Sequence, residues 1–171
     1  RSGIAAVVDH LVELGHERIA FAGPKRLGDI TEREDAFVAS AHGHGLATPA
    51  RYRQETANTY AGGESAFEQL MSLDPPPTAL VAPTDVIAIG MLHGALRHGL
   101  DVPRDVSITG FDDIPVAEFT VPSLTTVRMP TEDMILAAVD LAISRDEAPG
   151  DLHPVLEPDL IMRGSTGPAP K

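Results

Sequence analysis

Pro103-Arg104-Asp105-Val106-Ser107-Ile108-Thr109-Gly110-Phe111-Asp112-Asp113 runs from a proline through four β-rich residues into a glycine and two adjacent carboxylates. Val106 to Thr109 is short and bounded by breakers, the pattern of a central strand in a parallel sheet covered on both faces. In open α/β sheets ligands bind beyond the carboxyl ends of the strands, and Gly110 would let the backbone approach something there. Asp112 and Asp113 therefore either face a cleft or cap a turn through side-chain to backbone hydrogen bonds. Both readings stand at this level.

Outward from this strand the chain alternates short apolar runs with helical periodicity. Ile4, Val7, Val8, Leu11 and Val12 recur at helical spacing, with Gly15 where a left-handed cap would follow. Arg18 to Ala22 reads as a strand ended by Gly23-Pro24. Thr31-Glu32-Arg33-Glu34 matches a capping box and predicts a helix from there to about His42, with Phe37, Val38 and Ala41 on its buried side. Arg51 to Thr56 is a weak strand, and a helix from about Ala61 to Ser72 would bury Phe67, Leu70 and Met71 before Pro75-Pro76-Pro77. Thr78 to Ala82 is a further strand, and Thr84-Asp85 sits at the mouth of a helix from about Val86 to His98, stopped by Gly99. Leu124 to Val127 is strand-like, Thr131 caps a helix through Ser144, and Val155 to Met162 supplies a last strand or two. The expected fold is α/β, a doubly wound parallel sheet.

Composition narrows the function classes. A chain of 171 residues, 43% apolar, suits one compact domain. No apolar run approaches the roughly 20 residues of a membrane span, and Arg1-Ser2-Gly3 leads directly into an amphipathic pattern rather than a signal peptide. The absence of cysteine excludes disulfides and thiolate sites and fits a cytoplasmic location. A net charge of -12 argues against this region embracing nucleic acid by itself.

Gly23-Pro24-Lys25-Arg26-Leu27-Gly28-Asp29 resembles a phosphate loop, but Asp29 stands where the lysine should be and Ile30 replaces the magnesium-binding hydroxyl. No glycine-rich dinucleotide fingerprint occurs, so no cofactor is expected. His42 and His44 straddle a helix end, and His93 and His98 are expected on different faces, so the histidines read as surface residues and no metal site is expected. No serine sits in a strand-to-helix elbow, and the chain is not expected to be an enzyme.

The remaining polar residues fall at strand exits: Arg33 after the first strand, Thr84-Asp85 after the next strong one, Asp112-Asp113 after the one following. An arginine fork converging with carboxylates suits a polyhydroxylated small molecule, whose hydroxyls need both donors and acceptors. Phe111 and Tyr60 would offer a flat apolar face to such a ligand, or else belong to the core, the commoner place for an aromatic.

These residues resemble the LacI family of bacterial transcription regulators, specifically the effector-binding core that shares its fold with type I periplasmic sugar-binding proteins. The likeness runs nearly the whole chain. It rests on Leu14-Gly15-His16-Glu17-Arg18-Ile19-Ala20, Glu32-Arg33 with Phe37, Pro77-Thr78-Ala79 through Thr84-Asp85 and Ala88-Ile89-Gly90, Asp105-Val106-Ser107 through Gly110-Phe111-Asp112-Asp113, Leu124-Thr125-Thr126-Val127, and Arg163-Gly164-Ser165-Thr166.

The resemblance implies that Arg33 clamps an effector, that Asp112 binds ligand hydroxyls, that Thr84 contacts ligand from a position usually held by asparagine, and that Asp85 mainly caps its helix. Thr84 departs from that amide, and Ala36 replaces a usual glycine. It further implies a fragment lacking the DNA-binding head and part of the amino-terminal subdomain. Residues 1 to 123 would form the carboxyl-terminal effector-binding subdomain, 124 to 144 a segment of the amino-terminal one, and 145 to 171 the crossover back and tail. The implied partners are a sugar or nucleoside effector, operator DNA through the absent head, and a second copy in a homodimer; Met91, Leu92 and Ala95 are one candidate face for it, although they read more readily as ordinary core. No membrane partner is expected. The rival readings are a periplasmic sugar receptor serving a transporter and an enzyme using Asp112 and Asp113 as metal ligands or as acid and base.

Overall fold

The computed structural model describes residues 2–25, 28–131, 134–136, 139 and 157–170. Helix α1 (Ser2–Glu13) leads into strand β1 (Ile19–Gly23), helix α2 (Gly28–Gly43), β2 (Arg53–Glu55), α3 (Tyr60–Met71), β3 (Ala79–Val81), α4 (Asp85–Arg97) and β4 (Ser107–Thr109). The four strands form one parallel sheet in the order β2-β1-β3-β4. Strand alternation divides the core between its two faces. Ile19, Phe21, Ala79 and Val81 point to the side covered by Ile4, Val7, Val8 and Leu11 of α1 and Phe37 and Ala41 of α2. Ala20, Ala22, Leu80 and Ala82 point to the side covered by Ala66, Phe67 and Leu70 of α3 and Ile87, Ala88 and Met91 of α4. The doubly wound parallel sheet expected from the sequence is the observed architecture. Beyond it, β5 (Thr126–Arg128) pairs antiparallel with β6 (Asp159–Ile161).

Local signals account for most element ends. Gly15 and Gly99 adopt φ of +86° and +69°, the left-handed conformation that lets a chain leave a helix. Helix α2 starts at Gly28, so Thr31 and Glu34 lie inside it rather than forming the expected capping box. Asp29 occupies the first turn, where the helix dipole favours a carboxylate, and Ile30 anchors that turn in the core. The expected strand at Arg51 to Thr56 is shorter, because Ala50–Tyr52 forms a 3-10 turn that buries the Tyr52 ring and lets its hydroxyl donate to Pro75 O at 2.8 Å. The helix expected from Thr131 to Ser144 falls largely on residues outside the described set.

Helices α3 and α4 pack at backbone distance. A Cβ on Gly63 would sit 2.1 Å from Ile87 O, and one on Gly90 2.1 Å from Tyr60 O, so neither glycine has room for a methyl group. Gly90→Ala is expected to force the helices apart and cost about 2–3 kcal/mol, read as a lowered urea midpoint at unchanged slope. Met91, Leu92 and Ala95 are buried in this same packing, which agrees with the core reading of them over the dimer face.

His16, His93 and His98 depart from the expectation. His16 is buried, with Nδ1 3.0 Å from Thr78 Oγ1 and Nε2 3.1 Å from Ser107 Oγ and 3.0 Å from Gly167 O. It ties the amino ends of two strands to the carboxyl-terminal segment. Burial holds its pKa below the ordinary value, against the Gly167 carbonyl, while nearby His10 lowers it further. His93 and His98 both lie toward α3, 3.2 Å from Glu64 and 4.0 Å from Glu68, rather than on different faces.

Candidate functional site

Strand order reverses between β1 and β3, and their carboxyl ends open into Gly23-Pro24 and Ala82-Pro83-Thr84. That reversal is the switch point at which such sheets bind ligands. Arg33 reaches it from the second turn of α2. Its Nη1 donates to Pro83 O and, at 3.3 Å, to Asp112 Oδ1, while Nη2 donates to Asp29 Oδ2 at 3.0 Å. The guanidinium carbon lies 3.8 Å from the centroid of the Phe111 ring. Phe111 is itself only 5% exposed, so it is a core residue whose face supports the arginine. Tyr60, by contrast, is 53% exposed at the first residue of α3, which sets aside the core reading for it.

The three aspartates of this region separate into three roles. Asp112 has φ 111° and keeps a half-exposed carboxylate beside Arg33. Burial raises its pKa, Arg33 pulls it back, and Asp29 adds to the rise. Asp113 turns the other way, accepting from Arg163 Nη2 and Arg128 Nε, each at 2.7 Å. Burial works to raise its pKa, but the two guanidiniums prevail and hold it below the usual carboxylate value. The adjacent carboxylates therefore diverge, one toward the switch point and one into a clasp between β5 and the segment after β6.

Asp85 is fully buried. Its Oδ1 accepts from Thr126 Oγ1 at 2.5 Å and its Oδ2 from the Ile114 amide at 2.8 Å, while its own amide donates to Phe111 O at 2.7 Å. It joins the start of α4 to β5 and to the loop carrying Asp112. The helix cap is Thr84, whose Oγ1 accepts from the Ile87 amide, so the capping role implied for Asp85 belongs to its neighbour. Gly110 is glycine because a Cβ there would lie 2.2 Å from Asp85 Oδ1. What approaches that backbone is the protein's own carboxylate. Burial raises the Asp85 pKa to about 6, opposed by its bonds from Thr126 and Ile114 and reinforced by Asp112 and Asp113.

The structure thus brings Arg33, Asp112 and Phe111 together, with Thr84 beside Pro83 on the same rim. Sequence reasoning missed Asp29, Arg128 and Arg163. Asp29 stands four residues before Arg33, a helical ion-pair spacing that would have been legible had the helix start been placed at Gly28. Asp113 and Arg163 are 50 residues apart and carry no such signal. Among the described residues no group of three or more histidine, aspartate or glutamate side chains could hold a metal ion, and no helix is long and apolar enough to cross a membrane.

A parallel sheet covered by helices on both faces, with a polar cluster at its switch point, is an architecture of the periplasmic-binding-protein type. The chain belongs to the periplasmic binding protein-like domain family, whose profile matches residues 8–166, and its relatives are LacI-family transcriptional regulators. It is 40% identical over 179 residues to the HTH-type transcriptional regulator MalR of Streptomyces coelicolor, covering 99% of this chain and 51% of that protein. It is 35% identical over 166 residues to the HTH-type transcriptional repressor CytR of Escherichia coli, covering 95% of this chain and 49% of the repressor. A sugar-binding transcriptional regulator of the LacI family from Escherichia coli superposes with a TM-score of 0.89 at 31% identity, over 99% of this chain and 61% of that one. The chain spans about half the length of the curated relatives it matches. Those relatives are regulators, not enzymes.

Proposed function

We propose that this chain is the ligand-sensing part of a bacterial transcriptional regulator, which binds an uncharged sugar or nucleoside and thereby changes the protein's affinity for operator DNA. The observation that carries the reading is the pairing of Arg33 with Asp112 at the switch point, which sets a donor fork beside an acceptor, as vicinal hydroxyls require. Because Arg33 faces two carboxylates, Asp29 and Asp112, the cluster has no surplus positive charge to attract a phosphate ester. On this reading Arg33 and Asp112 meet the ligand, with Phe111 beneath, Tyr60 at the rim and Thr84 built into the wall of the site beside Pro83. Residues 1–123 are the effector-binding subdomain, 124–144 belong to its companion, and 145–171 return to the first. The regulator works in the cytoplasm as a homodimer and contacts DNA through a segment outside this chain.

The effector acts by binding one conformation better than the other, and a coupling of 5-fold or more in DNA affinity is about what such differential binding supplies. Calorimetric titration of the full-length parent chain with glucose, galactose, maltose, cytidine and adenosine is expected to find one that binds. The same compound should shift retention of a DNA fragment taken from upstream of the gene. Binding with no effect on DNA would sink the regulator reading, and no binding by any uncharged compound would sink the ligand class.

A further inference from the structure

The Thr84 hydroxyl is already committed to the protein. It has one proton, which it donates to Asn58 Oδ1 at 2.7 Å, and it accepts from the Ile87 amide at 3.4 Å. Thr84 is also buried, so it has little left to offer a ligand. Asn58 is the reverse. It is exposed on the loop between β2 and α3, and with Oδ1 turned to Thr84 its amide nitrogen carries two N–H donors that have no protein partner among the described residues. That loop is braced on both sides. Thr56 Oγ1 donates to Gly62 O at 2.7 Å, and the Thr59 side chain accepts from the Gly62 amide at 2.9 Å. A Cβ on Gly62 would lie 2.2 Å from Ala57 O, so the loop is pressed against the start of α3. A contact path runs round the rim from Asn58 through Thr84 and Pro83 to Arg33 and Asp112.

We infer that Asn58 is the specificity-determining donor of this site and that Thr84 is a positioning residue, its hydroxyl orienting the Asn58 carboxamide so that the NH2 group meets a hydroxyl or carbonyl oxygen of the ligand. The inference rests on the uncharged-ligand reading above. It divides between two side chains what a single amide at position 84 would do, and it predicts a preference for ligands with an acceptor on the side away from Asp112.

The test is a double-mutant cycle in the full-length parent chain, titrated with whichever of the five compounds above binds most tightly. Asn58→Ala is expected to weaken binding about 10-fold, the size of one lost hydrogen bond to a desolvated partner, while the protein still unfolds in a single cooperative transition. Thr84→Val is expected to cost a similar factor alone and nothing further in the Asn58→Ala background, and Thr84→Ser, which keeps the hydroxyl, should retain wild-type affinity. If Asn58→Ala binds within twofold of wild type, the assignment of Asn58 is wrong while the ligand reading survives. If Thr84→Val still weakens binding in the Asn58→Ala background, Thr84 touches the ligand itself and the positioning role is overturned. If wild type binds none of the compounds, both the reading and this inference fall.

Discussion

Arg33→Ala is expected to weaken effector binding by at least 100-fold while lowering stability by only about 1 kcal/mol. The asymmetry follows from what the side chain touches. Its pair with Asp29 is exposed on the Asp29 side and contributes little to folding, but the same guanidinium opposes the rise that burial imposes on the Asp112 pKa and fixes the position of that carboxylate. Without it Asp112 keeps its burial and loses its cation, so its pKa climbs further, and the carboxylate also loses the donor that fixes its orientation. Arg33→Lys should recover only part of the loss. A lysine restores the charge, but not the planar stack 3.8 Å from the Phe111 centroid or the simultaneous reach to Pro83, Asp112 and Asp29. Calorimetric titration of the full-length parent chain measures this. A loss under tenfold for Arg33→Ala would show that the arginine is a structural pair rather than a ligand clamp.

Asp85→Ala is expected to cost about 3 kcal/mol, more than any other single truncation at the site, because it strands the Thr126 hydroxyl and the Ile114 amide in the interior. The charge itself is a separate matter. The Asp85 pKa is raised from 3.8 in the unfolded chain to about 6 in the folded one, so between those values the folded state binds the proton more readily. Its contribution to stability is therefore fully present below about pH 3.8 and is lost as pH rises through about 6, the opposite of a salt-bridged carboxylate. Asp113, whose pKa is lowered, runs the other way and loses its contribution as the solution is acidified. Urea unfolding of wild type and Asp85→Asn across pH 4 to 8 separates the two, since Asp113 is common to both proteins. The wild-type curve should gain on the variant as pH falls toward 4, and a difference independent of pH would remove the buried charge from the account.

Apolar spacing, read alone, determined the order of strands and helices, the two-sided core and the parallel class of the sheet. Period and breakers act within a few residues, so Ile19 and Ala20 declare opposite faces without reference to anything distant. Positive-φ exits at Gly15 and Gly99 are local in the same sense. The sequence also singled out Arg33 and Asp112, because strand exits in such sheets gather polar groups. Only the tertiary structure decided which partner each charged group meets. Asp85 reads as a helix-capping residue until Thr126, 41 positions away, is seen to donate to it. His16 reads as a surface residue until Ser107, 91 positions on, is found against its ring. Asp112 and Asp113 are indistinguishable neighbours in the chain, yet a left-handed backbone at both sends one toward Arg33 and the other between Arg128 and Arg163. Burial and charge pairing act through space, and residues adjacent in the chain can differ in both.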